Sequence, residues 1–385
     1  MDQSRAAIAE YLNAPVETCV FVPNATTGVN TILRNLVYEP GDVIIYFDTI
    51  YGACGKVITL LTETTPVESR RVEYTYPVTD DELGRKFEGV IKSIKSSGKT
   101  PKIAIFDTIV SLPGVRVPFE RLTALCKQHN LLSAIDGAHG AGHIPLNLSA
   151  LDPDFFVSNC HKWLHVPRGC AVFYVPVRNQ HLIRSTLPTS WGFEALPTKE
   201  GGKINNPLPL TGKSKFVTNF EFVGTVDNSP YLCVPAAIEW RKKICWKGLQ
   251  GEEAIFAHNQ QLARRAGIII SDILGTEVMR NAPAPTAADD KDKDTLGACN
   301  FAMIKLPLDF QEVAGGDAAT AQKVGQWIVR TEVEEYKTFV AIWFYDEAWW
   351  VRLSAEIYLV EEDFVWGGEV LREICERVRK GEWKS

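Results

Sequence analysis

The first half of the chain alternates short apolar runs, rich in β-branched residues, with longer segments whose apolar residues recur every three or four positions. The short runs predict strands and the longer ones predict helices, an order typical of βαβ units around a mostly parallel sheet. Several of the short runs are apolar throughout, as expected of strands buried on both faces. The predicted strands are 19–23, 43–47, 102–108, 131–135, 155–157 and 171–175, and the predicted helices are 5–12, 27–36, 52–62 and 119–129.

The pattern changes towards the C-terminus. Residues 228–247 and 260–274 predict two helices, and the stretch 280–297 is rich in Pro, Ala and Asp without periodicity, which is typical of a mobile surface loop. The sequence then predicts a strand, a helix, an aromatic-rich hairpin and a last helix, at 300–306, 318–332, 339–354 and 361–380. We therefore expect a large α/β domain over residues 1–250 and a small α+β domain over residues 251–385.

Charge and cysteine usage narrow the class of protein. The net charge is only -6 and both signs are spread along the chain, so there is no basic stripe for nucleic acid or for an anionic membrane surface. Nine cysteines without a CxxC pair predict free thiols in a reducing compartment and no zinc or other metal site. No run approaches the roughly 20 apolar residues of a membrane span, and the N-terminus lacks the basic start of a signal peptide. We expect a cytoplasmic protein with small-molecule partners.

The segment Phe155–Tyr174 has the strongest chemical signal. A predicted strand ends there at the pair His161-Lys162, and a glycine-containing loop leads into the next strand. An arbitrary lysine would face solvent. Lys162, however, is flanked by Cys160, Trp163 and another apolar residue, and a partly desolvated amine in such a setting is suited to forming a Schiff base.

Asp136 follows the buried run 131–135 directly, at the strand end where α/β sheets bind ligands. It precedes Lys162 by 26 residues, enough for one crossover and one further strand, so both side chains can stand over one cleft. An aspartate that pairs with a pyridinium nitrogen is what a pyridoxal phosphate enzyme requires. The alternatives are a turn residue for Asp136 and a structural role for His139, three positions later.

Two further features complete the pattern. Residues 24–28, Asn-Ala-Thr-Thr-Gly, join a strand to a helix and offer backbone N–H groups and hydroxyls to a phosphate, with a plain N-cap as the alternative. Arg352 lies inside an aromatic-rich strand, where a guanidinium suits bidentate capture of a substrate carboxylate or a structural ion pair. The features occur in the chain order that builds a pyridoxal phosphate site.

These motifs resemble the class V aminotransferase-like enzymes of fold type I, which include cysteine desulfurases, isopenicillin N epimerase-like proteins and C–S lyases. The resemblance extends from Arg5 to the last helix. The segments Ser158–Trp163 (SNCHKW), Pro167–Gly169 and Phe222–Trp240 are similar to the epimerase-like branch, and Asp48–Cys54 (DTIYGAC) adds a similarity to hercynylcysteine sulfoxide lyases.

The resemblance implies roles for several residues. Lys162 is implied to hold pyridoxal 5'-phosphate as a Schiff base, Asp136 to pair with the ring nitrogen and His139 to lie near the phenolate oxygen. Tyr51 is implied to stack over the cofactor and to act as an acid, with an ordinary interface tyrosine as the alternative. The resemblance gives Lys162, Asp136 and Tyr51 the catalytic roles.

The resemblance also implies how the phosphate is bound. Thr26, Thr27 and His161 are the phosphate ligands of one subunit, and Thr225 reaches the phosphate of its neighbour. The implied assembly is therefore a homodimer with shared active sites.

Two departures from the family pattern bear on function. Family members have a further N-terminal stretch that lines the site, and this sequence begins after it, so an upstream segment is expected. Cysteine desulfurases have a cysteine on the loop before the late arginine, and residues 329–352 contain none. The second departure disfavours a persulfide-forming desulfurase.

The resemblance implies a C–S lyase that cleaves hercynylcysteine sulfoxide by β-elimination, giving a sulfenic acid, pyruvate and ammonia. The alternatives are a class V epimerase or aminotransferase, and a catalytically inactive scaffold with this fold. Retention of the catalytic lysine argues against the scaffold. Trp191, Phe193 and Trp343 could contact the quaternary ammonium of such a substrate, but we expect them in the core or at a subunit interface.

Overall fold

The computed structural model describes residues 1–194, 212–281 and 295–384. The chain forms two compact units. The first comprises Met1–Tyr74, Asp81–Ile109 and Pro118–Lys243, and the second comprises Thr75–Asp80, Val110–Val117 and Ile244–Ser385. The sequence interpretation divides the chain once, at residue 250. Most of the predicted loop 280–297 lies outside the described residues.

The first unit is built on a seven-stranded sheet with the strand order β1-β7-β6-β5-β4-β2-β3. Four of its six strand pairs are parallel, and β7 runs antiparallel to both β1 and β6. The α/β class with a mostly parallel sheet is thus confirmed. The strands are β1 Cys19–Val22, β2 Asp42–Phe47, β3 Glu68–Val72, β4 Thr100–Asp107, β5 Leu132–Asp136, β6 Phe155–Asn159 and β7 Ala171–Tyr174.

Ten helices accompany this sheet in the described part of the unit. They are α1 Asp2–Tyr11, α2 Ala25–Asn35, α3 Gly52–Thr64, α4 Asp80–Ser96, α5 Phe119–His129, α6 Leu148–Leu151, α7 Cys160–Trp163, α8 Lys215–Glu221, α9 Ser229–Leu232 and α10 Val234–Arg241. Helix α2 packs its apolar face closely against β6: a Cβ at Gly28 would lie 2.6 Å from the side chain of Val157. Glycine therefore brings the start of α2 close to the centre of the sheet.

The sequence interpretation missed β3 and α4 and misplaced one helix. Strand β3 is an edge strand without an apolar run, and α4 is rich in charges although Leu83, Phe87 and Ile91 give it a buried face. The predicted single helix 228–247 is wrong. Prolines at the starts of α9 and α10 break it into two pieces. The chain then turns at Lys247-Gly248, where both residues have positive φ, between β8 (Cys245–Trp246) and β9 (Leu249–Gln250).

The second unit has a three-stranded antiparallel sheet in the order β10-β12-β11, formed by Phe301–Lys305, Ala348–Ser354 and Ala341–Tyr345. Along β12, Trp349, Val351 and Leu353 join the core, so Arg352 projects from the opposite face. The core is completed by α11 Glu252–Leu274, α12 Phe310–Ala314, α13 Ala318–Glu334 and α14 Glu361–Arg379. None of the helices in the described ranges combines the length and apolar character needed to cross a membrane.

Candidate active site

Lys162 lies in the single turn α7, which follows β6 without a break. Its side chain is exposed as a whole, but Nζ lies 2.9 Å from Nε2 of His139. The last residue of β6, Asn159, accepts a hydrogen bond from the backbone N–H of Ala25 at 2.8 Å. The structure therefore brings Lys162 and His139 into contact, and it ties the strand before Lys162 to the start of α2.

Asp136 is buried at the end of β5. Its Oδ1 accepts the backbone N–H of Ala138 at 3.0 Å, and its Oδ2 lies 3.5 Å from Sγ of Cys54, a donor near the start of α3. Burial raises the pKa of Asp136, while the Ala138 N–H and the charge of Lys162 act in the opposite direction. The carboxyl group therefore has an environment that would be completed by a cationic partner.

A second buried carboxyl group, that of Asp107, lies opposite Asp136 in the register of β4 and β5. Burial, and secondly the neighbouring charge of Asp136, raise the pKa of Asp107 well above its ordinary value. Two adjacent buried carboxylates cannot both ionise easily. Because Asp136 has the N–H and S–H donors, Asp136 is the group that ionises and Asp107 keeps its proton. Sequence reasoning missed Asp107, although it ends a buried strand as Asp136 does.

The start of α2 is capped by Asn24. Its Oδ1 accepts the backbone N–H of Thr27 at 2.8 Å and the Thr27 hydroxyl at 3.0 Å. The N-cap that the sequence left as an alternative is therefore present, and a phosphate would have to take the Thr27 hydroxyl from Asn24. Thr26 is half-buried in the same first turn.

His161 is held by the backbone of Cys170, whose carbonyl oxygen and N–H lie 2.7 and 3.2 Å from Nδ1. Burial lowers the pKa of His161. The imidazole is therefore neutral at physiological pH, and Nε2 is left for another partner. Neutral imidazole with a free Nε2 suits the predicted role as a phosphate ligand.

Tyr51 and Thr225 lie at more exposed positions. Tyr51 precedes α3 and is 50% exposed, and Cys54, three residues later, contacts Asp136. The start of α3 therefore lies beside the carboxyl group. Thr225 is exposed in the stretch after α8, and the described contacts do not join it to Lys162. The roles of both residues stay predictions.

Arg352, in the second unit, is half-buried and tightly held. Its Nη1 donates to the carbonyl oxygen of Ser111 at 2.6 Å and lies 3.3 Å from the Ser111 hydroxyl, and the guanidinium stands 4.4 Å from the centre of the Phe301 ring. A Cβ at Gly114 would lie 2.6 Å from Cδ of the arginine. Within the described ranges Arg352 has no carboxylate partner, and its buried Nε lacks a hydrogen-bond acceptor.

The predicted ion-pair alternative for Arg352 is therefore not what the structure has. Burial lowers the pKa of its guanidinium to about 10, which still leaves the group charged at neutral pH. A fixed cation with an unsatisfied donor is suited to binding an anion.

The residues of the first unit fit pyridoxal phosphate. Lys162 offers an amine to the cofactor's aldehyde carbon, buried Asp136 offers an anion to the ring nitrogen, and the start of α2 with neutral His161 offers donors to the phosphate. Parallel strands place these groups at the carboxyl edge of the sheet, where ligands bind in open α/β folds. Fold and site together define a fold type I pyridoxal phosphate enzyme.

Comparison with known proteins agrees with this class. The model of the family "Aminotransferase class-V" matches residues 1–289, and the chain belongs to that family. The chain is 39% identical to the L-cysteine desulfhydrase-like protein lolT1 of Epichloe uncinata, over 98% of this chain and 84% of the relative. It is 29% identical to the hercynylcysteine sulfoxide lyase of Schizosaccharomyces pombe, over 97% of this chain and 84% of the relative.

The fold is similar to that of solved structures. A complex of the cystine C–S lyase C-DES with cysteine persulfide aligns with a TM-score of 0.74 at 17% identity, covering 97% of this chain and 86% of the lyase. At that identity the similarity concerns the fold alone. With the family, it confirms that pyridoxal phosphate is the cofactor and that the chain is a pyridoxal phosphate-dependent lyase acting on a small amino-acid substrate.

Proposed function

We propose that this lyase cleaves hercynylcysteine sulfoxide by β-elimination, without a protein thiol in the sulfur-transfer step. The observation that supports a direct elimination is the burial of the cysteines. Of the nine, all are buried except Cys233, which is half-buried, and Cys245, which is exposed. In the unit of Arg352, burial raises the pKa of Cys299 to about 11 and that of Cys375 to about 12, so neither is a ready thiolate.

Lys162, Asp136 and the start of α2 are proposed to hold the cofactor. When bound, pyridoxal phosphate supplies an electron-withdrawing ring that stabilises negative charge at the substrate Cα. Asp136 keeps the ring nitrogen protonated. Nζ of Lys162 takes the Cα proton, which its position beside a histidine donor suits, because a neutral amine is the basic form.

Arg352 is proposed to bind the substrate carboxylate. Its guanidinium is fixed by Ser111 and Phe301, and the unsatisfied Nε is available as a second donor. A prealigned fork loses little conformational entropy when it binds a planar carboxylate. The carboxylate would then be held in one orientation, which decides which substrate bond is broken.

An aromatic surface beside Arg352 favours a substrate with a quaternary ammonium. Trp350 precedes Arg352 by two residues and so shares its sheet face, about 7 Å along the strand. Trp343 pairs with Trp350 in the register and stacks on Tyr345 at 4.0 Å. Trp191 and Phe193, by contrast, are 54% and 40% exposed, and Arg184 stands over the Phe193 ring. Core positions for Trp191 and Phe193 are therefore wrong.

The sulfur group is proposed to leave directly. The Cβ–S bond of the sulfoxide breaks as the Cα proton is removed, sulfur and its oxygen leave as a sulfenate, and the Tyr51 hydroxyl protonates that oxygen. One water then converts the remaining three-carbon fragment to pyruvate and ammonia. A sulfenate is a better leaving group than a thiolate of similar size, so no enzyme nucleophile is needed.

The assay compares three compounds in separate incubations: hercynylcysteine sulfoxide, free cysteine and a β-lactam precursor peptide. We expect pyruvate chiefly from the sulfoxide, and a thiol product once a reductant is added. The Cys160→Ser and Cys170→Ser variants should release product within about tenfold of the parent rate. If free cysteine is cleaved as fast or faster, the sulfoxide proposal fails, and desulfhydrase activity, the activity named for several relatives, replaces it.

We also propose a homodimer in which Thr225 of each subunit completes the site of the other. The exposed stretch around Thr225 includes Phe222 and Val226, which are 41% and 53% exposed and suited to an interface. The test mixes Lys162→Ala protein with Thr225→Val protein after reversible dissociation. Shared sites predict that activity returns, because each mixed dimer has one intact site. Failure to recover activity in verified mixed dimers would refute the sharing.

A further inference from the structure

The His139 imidazole is held between an indole and an amine. Trp163 donates its Nε1–H to Nδ1 of His139 at 3.0 Å, and Nε2 of the same ring lies 2.9 Å from Nζ of Lys162. Both rings are buried, with 7% of His139 and 6% of Trp163 exposed. The contact with Lys162 was anticipated from the sequence, but the contact with Trp163 was not.

The two contacts fix the proton on the imidazole. Indole nitrogen is a donor and never an acceptor, so Nδ1 of His139 must have its lone pair directed at Trp163. A charged imidazolium, which has a proton on both nitrogens, cannot make this hydrogen bond. A neutral histidine has one proton, so that proton is on Nε2, and Nε2–H is a donor towards the position of Lys162.

The backbone around the two rings keeps them together. Gly142 has a φ of +83°, and a Cβ there would lie 2.3 Å from the carbonyl oxygen of Trp163. The fully buried guanidinium of Arg241 donates to the carbonyl oxygens of both Trp163 and Gly142, at 2.6 and 3.0 Å. The ring of His143 also lies 4.0 Å from that of Trp163. The turn after Asp136 and the turn that includes Lys162 are thus joined by several contacts, and the indole has little freedom to leave His139.

We propose that Trp163 is a positioning residue that holds His139 as the Nε2–H tautomer, so that His139 donates a hydrogen bond to the phenolate oxygen of bound pyridoxal phosphate. The proposal rests on the site described above only for the group that receives this hydrogen bond. Without the indole, the ring can turn to the Nδ1–H tautomer or take a second proton. The first change would set a lone pair against an oxygen anion, and the second would add a charge.

The experiment uses holoenzyme labelled with ¹⁵N-histidine, with the His139 signals identified from a His139→Asn variant. Long-range ¹H–¹⁵N spectra report which ring nitrogen has the proton, whatever substrate the enzyme cleaves. We expect His139 of the parent to be a single Nε2–H tautomer, with and without cofactor. In Trp163→Phe we expect a mixture of forms, together with a change of about one pH unit in the midpoint of the cofactor's absorption titration.

The matched control is Trp349→Phe. Trp349 is fully buried and donates its indole N–H to the carbonyl oxygen of Ala321 at 2.9 Å, in the second unit. This variant should lose stability, yet leave the His139 signals and the absorption titration as in the parent. The proposal is overturned if His139 of the parent is protonated on Nδ1, or if Trp163→Phe retains both the parent tautomer and the parent titration. If Trp163→Phe does not fold, the parent spectrum decides alone.

Discussion

Replacing Arg352 by glutamine should stabilise the protein while impairing it as an enzyme. Burial lowers the pKa of the guanidinium from 12.5 to about 10. One pKa unit corresponds to about 1.4 kcal/mol, so the charge destabilises the folded state by about 3 kcal/mol. Neutral pH lies below both pKa values, so the arginine is charged in the folded and unfolded states, and the penalty applies from about pH 5 to 9.

Part of this gain is offset by lost contacts. The hydrogen bond to the Ser111 carbonyl oxygen is worth about 1 kcal/mol, and the contact with the Phe301 ring about 0.5 kcal/mol. We therefore expect Arg352→Gln to raise the free energy of unfolding by about 1 to 2 kcal/mol. A hydrogen bond between charged partners contributes about 1.5–3 kcal/mol, so loss of carboxylate binding should lower kcat/KM by about 10- to 100-fold.

Urea unfolding at pH 7.5 measures the first effect, and the rate of pyruvate formation measures the second. Arg377→Gln is the matched control, because Arg377 lies in the same unit but is paired with Glu335 and Glu382, which raise its pKa. It should lose stability with no change in kcat/KM. The reasoning is refuted if Arg352→Gln is less stable than the parent, or if its kcat/KM lies within threefold of the parent value.

Three other substitutions test the remaining assignments. Lys162→Ala should abolish the visible absorption of the bound cofactor and all turnover; borohydride labelling of a different lysine would contradict this. Asp136→Asn should eliminate turnover whereas Asp107→Asn should retain most of it, because Asp107 is already neutral; equal losses in steady-state assays would disprove the distinction. Burial raises the pKa of Glu332 to about 7 from 4.5, so its ionisation removes stability as pH rises through that range. Glu332→Gln should thus gain up to about 3 kcal/mol in urea unfolding at pH 8.5 and nothing near pH 5, whereas a gain at both values, or an equal gain in the exposed control Glu334→Gln, would count against burial as the cause.

The sequence by itself determined the strand ends on which the chemistry depends. Period and composition are local properties, so the run before Asp136 and the run before Lys162 could be identified as buried strands without knowledge of their neighbours. The same local information failed where the signal is weak or is overridden, as in the polar edge strand β3 and in residues 228–247, where two prolines and a turn interrupt a helical composition.

Only the tertiary structure decided which side chains meet. Trp163 and His139 are 24 residues apart, and Cys54 and Asp136 are 82 apart. Asp107 meets Asp136 because β4 and β5 are adjacent in the sheet, and the held guanidinium of Arg352 depends on a segment some 240 positions earlier in the chain. Protonation states follow from such contacts, since burial and neighbouring donors set them and neither is encoded within a single stretch of sequence.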